Sequence, residues 1–176
     1  MKERNRAEAG FNLVEVLIAM GLLSTVLISI VTLFVMGRAN VYSGKQMTRA
    51  VSIGTSVSED LNSMRPSRIY SAFNVTSSTT KTTNTVAGVS YPNSIVRSTT
   101  DLSNDVDGLL DRWLALMPQS RLDDGVVTLV LQPRNQTNTS DPTTARILQV
   151  TVVVQWNEAT RKRNVVMHTT RLDRSV

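Results

Sequence analysis

The chain has 176 residues, no cysteine, one histidine and a formal net charge of +5. Without cysteine it cannot form a disulfide or a cysteine-based metal site, and it has no thiol nucleophile. Hydrophobic residues make up 41% of the sequence but aromatic residues only 5%, so aliphatic side chains must supply most of any core. Once an N-terminal membrane segment is subtracted, the length suits about one domain.

An uncharged and mostly apolar run extends from Val16 to Met36. At about 1.5 Å rise per residue, a helix of this length is about 30 Å long, which matches the hydrocarbon thickness of a bilayer. The run is apolar on every face, which argues against a helix in a soluble core. We therefore predict a membrane-spanning helix. The run contains four hydroxyl residues, Ser24, Thr25, Ser29 and Thr32. A membrane helix tolerates them because each hydroxyl can donate a hydrogen bond to a carbonyl of the same helix.

A cleaved secretory signal is the alternative reading of this segment. The basic residues before the run suit the start of such a signal, but the run is longer than the usual apolar region. Glu15 would also lie inside it, and no convincing pair of small residues follows Met36.

Glu15 is an acidic residue at the start of the apolar run. An ionisable group in a membrane segment is costly, and it usually has both a partner and a function. If the chain is cut after Gly10, the new α-amine of Phe11 lies about one helical turn from Glu15. That amine, or the amine of a neighbouring copy, would neutralise the carboxylate in a bundle of such helices. The alternative is an unpaired glutamate at headgroup depth.

The stretch GFNLVEVLIA, which begins at Gly10, resembles the type IV prepilin processing and methylation motif. The resemblance implies that a membrane prepilin peptidase cleaves between Gly10 and Phe11 and methylates Phe11. It assigns Glu15 to assembly and methylation. Asn12 replaces a common threonine, and the proline often found midway along the helix of major pilins is missing. Its absence favours a minor pilin or a pseudopilin.

Counting the basic residues on either side of the apolar run leaves its orientation undecided, but the resemblance implies one. Residues 1–10 are then a cytoplasmic leader peptide and residues 11–37 a transmembrane helix. Residues 38–66 are its amphipathic continuation, and residues 67–176 form a globular head. The chain is expected to be a single-pass protein of the inner membrane with an exported head, which later joins an extracellular pilus.

The helical pattern continues beyond the apolar run. Arg65-Pro66 is a stop signal because the residue before a proline avoids helical geometry. We therefore predict one helix from Phe11 to Met64. Its second half has apolar residues at near-helical spacing, namely Met47, Val51, Val57, Leu61 and Met64.

A second, shorter helix is predicted over residues 102–118, after a loop or irregular edge in the Ser/Thr-rich residues 76–85. Ser103 or Asn104 is the expected N-cap, and Pro118 the expected end. The apolar stripe of this helix comprises Val106, Leu109, Leu110, Trp113, Leu114 and Met117.

Three strands are predicted after this helix, namely GVVTLVLQ, ILQVTVVVQW and RNVVMHTTRL, with a loop over residues 135–144. The second strand alternates between an apolar face (Leu148, Val150, Val152, Val154 and Trp156) and a polar face (Gln149, Thr151 and Gln155). The last two strands suggest an antiparallel hairpin. The fold is expected to be α+β, with the long helix packed on a small antiparallel sheet, as in type IV pilins. This half of the chain resembles PilV-type minor pilins and, in much of its pattern, minor pseudopilins of type II secretion.

No catalytic constellation is recognisable in the sequence. His168 is the single histidine and lies in a predicted strand, so a histidine- or cysteine-based metal site is not expected. We predict a chain that is not an enzyme and needs no cofactor. Arg161, Lys162 and Arg163 are a candidate polyanion contact, or otherwise a solvated hairpin tip.

The sequence therefore favours a minor pilin that acts in filament priming, assembly or tip function. Its expected partners are the prepilin peptidase, other pilins through bundling of the N-terminal helices, and the inner membrane before assembly. One alternative is a minor pseudopilin of a type II secretion system. Another is a tip module that binds DNA or a surface, in which Arg171 and Arg174 would join the three basic residues above.

Overall fold

The computed structural model describes residues 12–120, 122, 124–158 and 161–173. Its elements are α1 (Leu13–Ser63), α2 (Pro66–Ala72), β1 (Thr82–Val86), β2 (Val89–Ser98), α3 (Leu109–Gln119), β3 (Val126–Gln136), a 3₁₀ turn (Pro142–Thr144), β4 (Ala145–Glu158) and β5 (Arg161–Leu172). Contacts divide the chain into two compact units, Met1–Tyr42 and Ser43–Val176.

Helix α1 confirms the long helix expected from the sequence, within the described residues. It begins after Asn12, whose carbonyl oxygen accepts hydrogen bonds from the amides of Glu15 at 2.8 Å and Val16 at 3.2 Å. It ends at Ser63 because Arg65 is extended, with φ −76° and ψ 153°, and Pro66 begins α2. Phe11, the expected first residue, lies outside the described residues.

In the second unit, α1 buries a face that differs from the predicted stripe. Val57 and Leu61 are buried as expected, but Met47 is 47% exposed and Val51 is 37% exposed. The prediction was wrong at these two positions because Ala50 and Gly54, together with Ile53, lie on the buried face instead. At Gly54, a Cβ would lie 3.0 Å from the Sδ of Met167. The buried face comprises Gln46, Ala50, Ile53, Gly54, Val57 and Leu61.

The five strands form an antiparallel sheet in the order β1-β2-β3-β4-β5. The predicted hairpin is confirmed: β4 pairs with β5 from Ile147↔Leu172 to Glu158↔Arg161. The predicted apolar face of β4 is also confirmed, because it lies in one core with the buried residues of α1 and α3. This face comprises Leu148, Val150, Val152, Val154 and Trp156.

The opposite face of the sheet carries a second, smaller core that was not predicted. Val130 and Val153 are buried there together with Val86 of β1 and Tyr91 of β2. Thr151, expected on a polar face, is fully buried. Part of the predicted loop at residues 76–85 forms β1, which places the β1–β2 hairpin over this face.

Helix α3 begins at Leu109, four or five residues after the start implied by an N-cap at Ser103 or Asn104. Gly108 precedes it with φ +68°, a left-handed conformation that glycine adopts without strain. The Asp105 carboxylate accepts hydrogen bonds from the amides of Leu109 at 2.8 Å and Asp111 at 3.0 Å. The first turn is therefore capped from Asp105, and the expected caps at residues 103 and 104 were wrong.

The apolar stripe of α3 is narrower than predicted. Trp113 and Met117 are buried, but Val106 lies before the helix and is 66% exposed, and Leu114 is 36% exposed. Pro118 lies inside the last turn, and the helix ends one residue later at Gln119.

Candidate functional site in the apolar N-terminal helix

The first unit presents an apolar helical surface that is exposed along its whole described length. In the most apolar 18-residue window, mean hydropathy is 2.5 and no residue is buried. Leu33 is 74% exposed and Phe34 is 71% exposed. Soluble proteins rarely expose apolar patches of this extent. By length and composition, α1 is therefore sufficient to cross a membrane.

The hydroxyl side chains of this helix are satisfied within it, as the sequence predicted. Ser24 donates to the carbonyl of Met20 at 2.8 Å, and Ser29 donates to the carbonyl of Thr25 at 2.9 Å. Thr25 and Thr32 donate to the carbonyls of Leu22 and Ile28, each at 2.8 Å. These hydroxyls consequently add little polarity to the apolar surface.

Glu15 lies in the first turn of α1 and is exposed. It is the single charged residue between Asn12 and Met36. The side-chain oxygen of Asn12 lies 3.4 Å from the amide of Val14, so Asn12 occupies the N-cap position and Glu15 the third position of the helix. The positive end of the helix dipole favours a carboxylate there. Among the described residues Glu15 has no ion-pair partner. The predicted processing residues, Gly10 and Phe11, lie outside them.

The three basic residues of the candidate polyanion contact lie at the start of β5 but do not share one surface. Strand alternation places Arg161 and Arg163 on the face that carries Glu158, and Lys162 on the other face. The Nε of Arg163 lies 2.8 Å from the Oε2 of Glu158. Hydrogen bonds from the Ser43 hydroxyl and from Arg163 hold the pKa of Glu158 below its ordinary value. The charge of Arg163 is thus partly neutralised.

The other residues considered for binding have structural contacts or fall outside the described chain. Arg171 is half-buried and donates from Nη2 to the carbonyl of Met64 at 2.8 Å. Arg174 lies outside the described residues. The Nδ1 of His168 is 2.9 Å from the Oγ1 of Thr151. The described residues contain no cluster of three or more metal-ligating side chains.

A group of polar side chains on the outward face of β4 and β5 was missed by the sequence reasoning. Gln155 and Asn157 of β4 are opposite Asn164 and Lys162 of β5. The signal was present as polar residues spaced two apart in each strand, but only the pairing register brings the two pairs together. These four residues are named the polar quartet.

Comparison with protein-family models, curated proteins and solved structures finds no match to this chain.

Proposed function

We propose that this chain is a minor pilin, a non-catalytic subunit that enters a type IV pilus after a prepilin peptidase cuts between Gly10 and Phe11. The observation that carries the proposal is the position of Glu15. It is the single charge of an exposed apolar surface, and it lies in the first helical turn. The long apolar helix and the antiparallel sheet agree with the layout expected of such a subunit.

The physical argument begins with the exposed helix. Lipid covers such a surface in the membrane, and neighbouring helices of the same kind cover it in a filament. Glu15 then lies in a medium of low dielectric, where an unpaired charge is costly. Cleavage supplies the missing cation, because it creates the α-amine of Phe11. Removing one partner of a buried ion pair costs about 3–5 kcal/mol, so the pair favours one register between neighbouring helices.

A role in priming or at the tip is favoured by the uninterrupted helix. No proline occurs between Leu13 and Ser63, and α1 is continuous between these residues. A helix without proline retains every backbone hydrogen bond and resists local unwinding. By the resemblance to type IV prepilins, the missing midway proline favours a minor subunit over a major one.

The direct test is the intact mass of the chain produced beside its prepilin peptidase. The expected mass corresponds to a start at Phe11 with one added methyl group. A bulky replacement, Gly10→Leu, should leave the chain uncut. Gly21→Ala is the matched control, since its Cβ would meet nothing within 4 Å, and it should be cut normally. A start at Met1 in cells with active peptidase would refute the proposal.

A minor pseudopilin of a type II secretion system would give the same mass. Genomic neighbours separate the two systems: genes for a pilus retraction motor support the pilus, and a secretion operon supports the pseudopilin.

A further inference from the structure

The polar quartet is a compact cluster fixed by strand register. Gln155 is paired with Asn164, and Asn157 with Lys162, and strand alternation places all four on the same face. Cβ atoms of directly opposite residues lie about 5 Å apart, and residues two apart along a strand about 7 Å. The four side chains therefore converge on one small patch.

The hydrogen-bonding groups of the quartet have no partner among the residues that the structure describes. None of the four side chains has a hydrogen bond or an ion pair with another described residue. Other amide side chains of the same fold are engaged. The Nε2 of Gln132 donates to the carbonyl of Pro92 at 2.9 Å, and that of Gln136 to the carbonyl of Asp141 at 2.8 Å. The quartet therefore has donors and acceptors without a described partner, whereas Gln132 and Gln136 have theirs.

A recess of about 320 Å³ borders three residues of the quartet, Gln155, Lys162 and Asn164, with the β1–β2 turn as one wall. A second recess of about 150 Å³ adjoins it, because Gln155 and Lys162 line both. The first is lined by Ala87, Gly88, Gln155, Lys162, Arg163 and Asn164. The second is lined by Asp124, Val126, Gln155, Trp156, Asn157 and Lys162.

Trp156 borders the second recess, but its side chain lies on the other face of the sheet. Strand alternation places it with Val154 on the core face of β4, where it is 4% exposed. The polar side chains of β4 and β5 that a ligand would meet in this recess are therefore those of the quartet that line it, Gln155, Asn157 and Lys162.

We propose that the quartet and its recess bind an acidic sugar unit, such as a uronate of a surface polysaccharide. A carboxamide both donates and accepts hydrogen bonds, which matches hydroxyl groups, and the ammonium of Lys162 matches a carboxylate. Ala87 offers apolar contact at the wall of the first recess. The recess is of the size of small-ligand sites.

Nucleic acid fits this surface less well. Single strands bind through stacking on aromatic side chains, but Trp156, the aromatic residue that borders the recesses, is buried on the core face. Affinity for DNA also depends on several cations that neutralise phosphates, whereas the recesses are lined by Lys162 and by Arg163, whose charge Glu158 partly neutralises. The proposal concerns the second unit and does not depend on pilus assembly.

The test uses the full chain in detergent micelles, with trigalacturonate as the probe and isothermal calorimetry as the readout. Binding is expected with a Kd of about 1 mM or tighter. Lys162→Gln should weaken it about tenfold and Asn164→Ala about threefold. Lys45→Gln, which removes an exposed lysine of α1, should bind as the unaltered chain does. The methyl ester of the probe, which lacks the carboxylates, should bind about tenfold more weakly.

Several results would overturn the proposal. One is no measurable binding of trigalacturonate at about 10 mM. Another is that the methyl ester binds as tightly as trigalacturonate, or that Lys45→Gln weakens binding as much as Lys162→Gln does. Tighter binding of a single-stranded oligonucleotide than of the sugar, with a steep loss on adding salt, would assign the patch to nucleic acid instead. Each variant should have the melting temperature of the unaltered chain, which would show that the loss of binding does not come from unfolding.

Discussion

The Asp60 carboxylate of α1 accepts a hydrogen bond from the indole Nε1 of Trp113 in α3 at 2.9 Å. The same oxygen lies 2.6 Å from an Nη2 of Arg112. Trp113 is fully buried, and its ring lies 5.9 Å from that of Phe73 between centroids. One carboxylate thus fixes α3 against α1 through a buried donor and a surface cation.

Asp60→Ala should destabilise the folded second unit. The change leaves the buried indole N–H without an acceptor, which costs about 1–3 kcal/mol. Asp60→Asn retains an acceptor oxygen and should lose less. Chemical unfolding followed by tryptophan fluorescence measures both. The control is Glu59→Ala, an exposed neighbour on α1, and the role of Asp60 is contradicted if the two alanine variants unfold alike.

Gly125→Ala should also be destabilising, by about 1–3 kcal/mol. A Cβ at this position would lie 2.6 Å from the Sδ of Met117 and 2.8 Å from the carbonyl oxygen of Leu122. The methionine can move, but the backbone oxygen accepts the Gly125 amide at 2.7 Å and holds the turn.

Gly44→Ala provides the matched contrast to Gly125→Ala. It lies in α1 and a Cβ there would meet nothing within 4 Å, so alanine should stabilise by up to about 1 kcal/mol through helix propensity. Equal free energies of unfolding for the two variants would show that crowding at Gly125 has no effect.

Glu158→Gln should show a pH-dependent loss of stability. The pKa of Glu158 is lowered in the folded state, first by the Ser43 hydroxyl and then by Arg163. Its ionised form therefore stabilises the fold above the ordinary carboxyl pKa, and this contribution is lost as pH falls through the lowered value. The melting temperature of Glu158→Gln should lie below that of the unaltered chain at pH 7 and converge with it in acid.

The pH series needs one comparison, Glu59→Gln, which removes an exposed carboxylate on α1. If that variant reproduces the convergence of Glu158→Gln, the effect is one of overall charge rather than of the contact with Ser43.

Glu15→Val and Glu15→Gln should leave cleavage after Gly10 largely intact but impair methylation and incorporation into filaments. Under the proposed function, both changes remove the anion that would pair with the α-amine of Phe11 in a low-dielectric bundle. Mass spectrometry reports processing, and immunoblots of sheared filaments report incorporation. Glu59→Gln should behave normally in both assays. Normal incorporation of the Glu15 variants would refute the ion-pair argument.

Regular alternation and continuous apolar runs made the simplest parts of the fold predictable. The apolar face of β4, with Val150 and Val152, and the end of α1 near Pro66 follow from local patterns that the packing preserves. The start of α3 could not be predicted in the same way. Val106 has the spacing of an apolar helical residue, but Gly108 is left-handed and the helix begins only after it.

Long-range contacts account for the remaining differences. Thr151 looks solvent-facing by its chemistry, yet the β1–β2 hairpin buries that side of the sheet. Within α1, Ala50 and Gly54 are less hydrophobic than Met47, but their small size permits close approach of the sheet. At the candidate site, Glu15 was evident from its charge alone, whereas the quartet depends on strand register.

Strand order in the sheet equals order along the chain. If the head crosses the membrane in chain order behind a cytoplasmic N-terminus, as the proposed function implies, every strand from β2 onward emerges beside a neighbour that has already left the membrane, so folding can keep pace with translocation. β5 arrives last, and it brings Met167 against Gly54 and Thr169 within 2.9 Å of Asn62. A chain that stopped before Arg161 would leave that side of the helix uncovered.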